Sequence, residues 1–129
     1  MTEIVYKEEC RQIYKLLFEL QNELGTNFQE KHYQRGFEAK LIKENYEYKK
    51  EAPLRINYEG KLLGKFFLDF IVFDKIIIEF KTTERLTNEH LKQMLRYLEA
   101  SNMKLGLVVN FRKRPLRPMR VLNSKYLSK

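Results

Sequence analysis

The chain has 129 residues, 43% hydrophobic and 13% aromatic, which is enough for one sizeable core and argues against disorder. Its 25 Lys and Arg against 17 Asp and Glu give a formal charge of +8, which favours a polyanionic partner: nucleic acid first, an anionic membrane surface second, with plain solubility as the alternative. Cys10 is the only cysteine, which excludes an internal disulfide and a zinc site built on thiolates.

The N-terminal residues show no basic region followed by an apolar stretch, and no apolar run approaches the roughly 18 residues that span a bilayer. We therefore expect one domain over residues 1–129, located in the cytoplasm and without a membrane partner. A homodimer is left open.

Two helices are predicted at the start of the chain. Residues 2–24 place an apolar side chain at every third or fourth position, and Gly25 then provides a left-handed cap. Thr26 or Asn27 can cap a second helix that continues to about Asn45.

Glu30 lies on the apolar line of the second predicted helix. Tyr33, Phe37 and Leu41 form this line. Glu30 falls on it because Phe37 and Leu41 follow it by 7 and 11 residues, which are close to whole numbers of helical turns. Glu30 is therefore expected to face inward. As an acid in the first turn it could instead complement the helix dipole.

Farther along the chain, two strongly apolar segments are predicted strands. Phe66–Phe73 and Ile76–Phe80 are aromatic and β-branched on both faces, as in strands covered on both sides. Asp69, Glu79 and Lys81 place charges in or beside this core, where an unpaired charge is costly. We expect either a salt-bridged cluster or a functional site.

The register of the hairpin decides whether these charges meet. Glu79 and Lys81 project from one face because side chains repeat every two residues. Asp69 lies opposite Glu79 if the loop is odd-numbered and centred on Asp74, whereas a two-residue Asp74-Lys75 turn would put the carboxylates on opposite faces. In the odd-numbered register the site is rich in oxygen and suits a hard cation such as Mg²⁺.

The other elements complete an α/β pattern. Residues 46–52 are densely charged and predict a solvated approach to a strand at Pro53–Tyr58. A helix is predicted at Asn88–Ala100, followed by a buried strand at Met103–Phe111. That strand is expected to run parallel to the strand of Glu79, since the helix acts as a crossover. The order α, α, β, β, β, α, β, β predicts a mixed central sheet flanked by helices.

A basic segment follows the last buried strand. It is expected to contact nucleic-acid phosphates, with a solvated basic tail as the alternative. Its cationic residues are Arg112, Lys113, Arg114, Arg117 and Arg120.

Asp69, nine intervening residues and Glu79-Phe80-Lys81 resemble the signature of the PD-(D/E)XK nuclease superfamily. Gln93 and Tyr97, which share one stripe of the predicted helix, resemble the Q-x-x-x-Y element of its RecB-type and λ-exonuclease-like branches. The segment 27–33 is similar to the motif of the small bacterial GxxExxY proteins of this superfamily, with Asn27 in place of the first Gly. The resemblance extends over residues 8–121.

This resemblance implies a restriction-endonuclease-like core and a metal-dependent nuclease, with DNA favoured over RNA. Mg²⁺ or Mn²⁺ would be held by Asp69, Glu79 and the backbone carbonyl of Phe80, while Glu30 would add a carboxylate directly or through water.

Three further residues receive roles from the resemblance. Lys81 would position or help deprotonate the attacking water, or stabilise the transition state. Gln93 and Tyr97 would steer that water or hold the scissile backbone. The alternative is a non-catalytic module on a nuclease fold that binds nucleic acid or a protein.

Overall fold

The computed structural model of the protein describes residues 4–126. The order of helices and strands matches the predicted order, with one short 3₁₀ helix added at residues 124–126. The elements are α1 (Lys7–Leu24), α2 (Glu30–Glu44), β1 (Tyr48–Tyr58), β2 (Lys61–Val72), β3 (Ile76–Lys81), α3 (Asn88–Ser101), β4 (Leu105–Asn110) and β5 (Met119–Leu122).

The strands form one mixed sheet with the spatial order β1-β2-β3-β4-β5. β3 and β4 are parallel, and the other neighbours are antiparallel. The parallel pair requires a crossover, which α3 provides. Apolar side chains of α1 and α2 pack on one face of the sheet, and those of α3 pack on the other. The predicted α/β fold with a mixed, helix-flanked sheet is confirmed.

β1 begins at Tyr48, so the predicted start at Pro53 is wrong. The charged residues that predicted a solvated approach belong to an edge strand, where polar side chains are tolerated. Two side chains of this segment bind α2. The Tyr48 hydroxyl and the Lys50 ammonium donate to the Glu38 carboxylate at 2.8 and 3.2 Å. These contacts fix the first half of β1 against the helix.

The helix starts also differ from prediction. α1 begins at Lys7, and residues 2 and 3 of the predicted first helix lie outside the described part of the chain. α2 is capped at Gln29 rather than at Thr26 or Asn27; the backbone N–H of Gln29 donates to His32 Nδ1 at 3.1 Å. Glu30 is consequently the first residue of α2.

The hairpin of β1 and β2 changes faces at Asp69. Strict alternation would put Leu68 and Phe70 on one face, yet Leu68 packs towards α3 and Phe70 packs towards α1 and α2. On β1 the change occurs at Glu51, which has a φ of 52° and interrupts the ladder of paired residues without shifting its register. Asp69 therefore lies where β2 crosses from one side of the sheet to the other.

α3 lies close over β4 because Gly106 has no side chain. A Cβ atom at Gly106 would collide with the Met94 thioether, which occupies the space above the strand. This close approach brings the face of α3 that carries Gln93 and Tyr97 towards the ends of β3 and β4.

Candidate active site where β2 and β3 separate

The register of β2 and β3 answers the question that the sequence left open. Phe70 pairs with Ile78 and Val72 pairs with Ile76, around a three-residue loop centred on Asp74. The loop is odd-numbered, which is the register in which Asp69 is expected across from Glu79. One step beyond the Phe70–Ile78 pair, Asp69 and Glu79 lie opposite each other.

At this step, side-chain carboxylates accept hydrogen bonds from the backbone N–H groups of the opposite strand. The backbone N–H of Asp69 donates to Glu79 Oε2 at 2.8 Å, and the backbone N–H of Phe80 donates to Asp69 Oδ2 at 2.7 Å. Each carboxylate thus accepts a hydrogen bond from the opposite strand. The described pairing of the strands ends here. The two acids are held side by side where β2 and β3 separate, and this place is called the opening below.

Burial and mutual repulsion disfavour the charged form of both acids. Glu79 is 5% exposed, and its burial together with the Asp69 charge raises its pKa to about 8. Burial also raises the pKa of Asp69; the hydrogen bond from Phe80 opposes this rise, and the Glu30 charge adds to it. The opening therefore favours a cation.

Lys81 and the facing residues of α3 border the acid pair. Lys81 Nζ donates to Gln93 Oε1 at 3.3 Å, and its positive charge lowers the pKa of both Asp69 and Glu79. Burial first, and then the charges of Glu79 and Asp69, raise the pKa of the Tyr97 hydroxyl. Acid pair, ammonium, amide and phenol thus lie at one end of the sheet.

Glu30 approaches this group from α2. It is half-buried, and its charge raises the pKa of both Asp69 and Glu79. Gln34 was not predicted from the sequence, yet a hydrogen bond from its side chain lowers the pKa of Asp69. It lies four residues after Glu30, which is the next position on that helix face, and this spacing could have revealed it.

Tyr33 organises the loop that leads into α2. Its hydroxyl donates to the carbonyl of Gly25 at 2.6 Å and accepts from the backbone N–H of Phe28 at 3.3 Å. Its ring is fully buried and stacks on Phe111 with centroids 4.3 Å apart. Tyr33 has a structural role, because it fixes the segment from which Glu30 extends.

The donor set of the opening fits Mg²⁺ or Mn²⁺. Within residues 4–126, no three His, Cys, Asp or Glu side chains form a ready-made metal site. Mg²⁺ usually binds through one or two carboxylates while it keeps several waters, so the pair of Asp69 and Glu79 suffices. In this arrangement Glu30 would act through water.

The predicted nucleic-acid residues divide into two groups. Arg112, Lys113, Arg114 and Arg117 are exposed on the loop that follows β4, whose end pairs with Lys81 of β3. Arg114 also donates to the carbonyl of Gln21 at 3.3 Å but stays exposed. Arg120 is different, because it is half-buried and its guanidinium donates to Cys10 Sγ and to the carbonyl of Val5, both at 3.2 Å. Arg120 therefore fastens β5 to the N-terminal segment.

Two buried amides that the sequence did not reveal hold the loops around the site. Gln21 Nε2 donates to the carbonyls of Phe111 and Lys113 at 3.0 and 2.7 Å, which fixes the start of the basic loop on α1. Asn110 exchanges hydrogen bonds with the backbone N–H and carbonyl of Thr83 at 3.1 and 2.9 Å. The loops after β3 and β4 are thereby joined.

A five-stranded mixed sheet lies between helices and carries an acid pair where two of its strands separate. This architecture defines a restriction-endonuclease-like α/β domain. A family model described as the PD-(D/E)XK nuclease superfamily matches residues 7–121, and the chain belongs to this superfamily. Membership indicates nuclease chemistry as the general class, usually with a divalent metal ion. The narrower resemblance to GxxExxY proteins stays a prediction.

A solved structure described as "Crystal structure of SSO0001" shares the fold, with a TM-score of 0.57 and 24% sequence identity. The match covers 88% of this chain and 60% of that one, so the chain spans less than two thirds of its length. No curated protein sequence matches the chain. None of the helices in residues 4–126 is long and apolar enough to cross a membrane.

Proposed function

We propose that the protein is a Mg²⁺- or Mn²⁺-dependent nuclease that hydrolyses phosphodiester bonds, with DNA as the favoured substrate and the cytoplasm as its compartment. The observation that carries the proposal is the acid pair. Glu79 is buried, Asp69 is half-buried beside it, and each is bound to the backbone of the opposite strand. Such a pair is costly in a protein that does not bind a cation.

The acid pair and its neighbours would hold the cation. Asp69 and Glu79 supply carboxylate oxygens, the carbonyl of Phe80 supplies a third oxygen, and Glu30 acts through water. When bound, a divalent cation stabilises charge on the attacked phosphate and lowers the pKa of water. The short hydrogen bonds to Asp69 and Glu79 position both carboxylates before any cation binds.

Lys81 would act on the water or on the phosphate. It cannot ligate a cation as an ammonium, yet it projects from the same strand face as Glu79. Its hydrogen bond to Gln93 holds the ammonium towards α3. Gln93 and Tyr97 would orient the water or hold the scissile backbone, since both lie on the side of α3 that faces this opening.

The basic loop after β4 would bind the substrate backbone. Arg112, Lys113, Arg114 and Arg117 are exposed and extend from the same end of the sheet as Lys81. Phosphate contacts by these side chains would make affinity fall steeply with salt. Arg120 is left out of this proposed surface because its guanidinium is bound internally.

Two measurements test the proposal. Calorimetric titration with Mg²⁺ and Mn²⁺ should give binding to the wild type and to Asp74→Ala, a control that removes an exposed acid from the hairpin loop, and no binding to Asp69→Ala. Cleavage assays on linear and circular DNA, single strands and RNA should show that Lys81→Ala binds the cation but does not cut.

Full activity of Lys81→Ala on a substrate that the wild type cuts would refute the role of Lys81. If the wild type binds no cation and cuts no substrate, the nuclease proposal is wrong and the binding-module alternative replaces it. Binding of nucleic acid without cleavage would identify that module.

A further inference from the structure

The β1–β2 hairpin extends well beyond the rest of the sheet. β2 has 12 residues, but its described pairing with β3 involves only Phe70–Val72. Residues 53–67 therefore form a two-stranded ribbon that leads directly into Asp69. One face of this ribbon packs towards α3 through Leu54 and Phe66.

The opposite face of the ribbon, here called the outer face, is exposed and carries an aromatic ring beside two cations. Pro53 pairs with Phe67, and Arg55 pairs with Lys65, so these four side chains share the face. Phe67 is 57% exposed, and Lys65 Nζ lies 5.2 Å from the centroid of its ring. An exposed aromatic ring with two cations on one side of it suits a ligand that is both flat and anionic.

The position of this face relates it to the acid pair. Phe67 precedes Asp69 by two residues, which is about 7 Å along a strand. At about 3.4 Å per nucleotide along one strand of a duplex, and more where the strand is unstacked, this distance amounts to one or two nucleotides. A strand with its phosphate at the opening would therefore bring a neighbouring nucleotide to Phe67.

We propose that the outer face of the ribbon binds unpaired nucleotides beside the scissile bond, with Phe67 stacking on a base and Arg55 and Lys65 contacting phosphates. This inference rests on the proposed nuclease function. A base inside a duplex is stacked between its neighbours and presents no free face to a side chain, whereas an unpaired base can expose one. The substrate is therefore a nucleic acid that is single-stranded next to the cleaved bond.

A purely apolar protein partner fits this face less well. Such a partner would bury the charges of Arg55 and Lys65 without compensation, which is costly. A nucleic-acid strand offers a base for the ring and phosphates for both cations. The net charge of +8 favours the same ligand.

The test measures binding of a fluorescein-labelled oligodeoxythymidylate, and of a duplex, by fluorescence anisotropy. Ca²⁺ replaces Mg²⁺, and a gel verifies that the labelled strands stay intact. Phe67→Ala should weaken binding of the single strand by about 5- to 150-fold, the range for loss of one stacked base. Binding of the duplex should stay unchanged, and Phe67→Trp should bind the single strand like the wild type.

Tyr126→Ala is the matched control. Tyr126 is 37% exposed, and Lys104 Nζ lies 5.3 Å from the centroid of its ring, so it is also an exposed ring beside a cation. It contacts Asn102 just before β4, at the end of the sheet opposite the acid pair. This variant should bind both probes like the wild type. Arg55→Gln combined with Lys65→Gln should reduce the salt slope for the single strand by about 0.7 per lost phosphate contact.

Unchanged single-strand binding by Phe67→Ala would overturn the inference. Equal losses on single strand and duplex, or an equal loss in Tyr126→Ala, would also overturn it. A wild-type dimer that Phe67→Ala dissociates, with unchanged oligonucleotide binding, would show that the face binds a second copy instead. If Phe67→Ala selectively loses single-strand binding but the wild type never cuts, this surface is retained and only the nuclease proposal is refuted. If the wild type cuts and Phe67→Ala binds unchanged, the nuclease proposal is retained and this surface is refuted.

Discussion

Replacing Glu79 by Gln should stabilise the metal-free protein while it abolishes the proposed activity. The Gln side-chain oxygen can still accept the hydrogen bond from the backbone N–H of Asp69, so the geometry of the strand opening is kept. The change removes the charge that burial and Asp69 disfavour. An acid whose pKa is raised by folding favours the folded state at low pH, and this contribution is lost as the pH rises through the folded pKa.

The magnitude follows from the pKa of Glu79, which folding raises from 4.5 to about 8. The folded state loses about 1.4 kcal/mol per pH unit between these two values. At neutral pH the accumulated cost is roughly 3 kcal/mol, which corresponds to an increase of about 10 °C in Tm for Glu79→Gln in a domain of this size. The difference should vanish near pH 4, where Glu79 is protonated in both states.

Urea unfolding in EDTA, followed by circular dichroism at several pH values, measures the effect. Glu38→Gln is a control of opposite sign, because hydrogen bonds from Tyr48 and Lys50 lower the pKa of Glu38. Glu38→Gln should therefore be less stable than the wild type near neutral pH, and this difference should shrink as the pH falls. If metal-free Glu79→Gln is no more stable than the wild type at neutral pH, the electrostatic reasoning is refuted.

Three further changes have defined outcomes. Tyr33→Phe keeps the stack on Phe111 but removes both loop hydrogen bonds, so the free energy of unfolding should fall by about 1–3 kcal/mol in urea titrations; an unchanged value would contradict the role of the hydroxyl. Gly106→Ala should cost about 1–3 kcal/mol through the collision with Met94, and Met94→Ala in the same chain should recover part of that collision cost; additive losses would argue against the contact. Neutralising Arg112, Lys113, Arg114 and Arg117 together should reduce the salt slope of nucleic-acid binding by about 0.7 to 0.9 per lost phosphate contact, and an unchanged slope would remove the loop from the binding surface.

The sequence predicted the central elements because their signals are local. Continuous apolar segments marked β2, β3 and β4, and Thr87 marked the start of α3 as observed. The spacing from Asp69 to Glu79 restricted the hairpin to two registers, and packing of both apolar strands selected the odd-numbered one. The nuclease superfamily was predictable for the same reason, since its signature consists of short motifs.

The features that the sequence did not reveal depend on distant contacts. The first half of β1 is a strand because it pairs with residues 70–72 of β2, and Tyr48 and Lys50 also bind Glu38 of α2. The positive φ of Glu51 and the change of faces at Asp69 arise from the packing of two opposite cores. Periodicity assumes uniform alternation, so it cannot detect such a change.

β1, which lies at one edge of the sheet, is poorly suited to pairing with a strand of another chain. β1 is long, which would normally make it prone to edge-to-edge aggregation. Glu51 breaks its regular twist, Pro53 removes one hydrogen-bond donor, and the register shifts between Ile56 and Asn57. A neighbouring chain in a crowded solution thus meets an interrupted row of backbone groups along β1, which disfavours strand pairing between two copies at this edge.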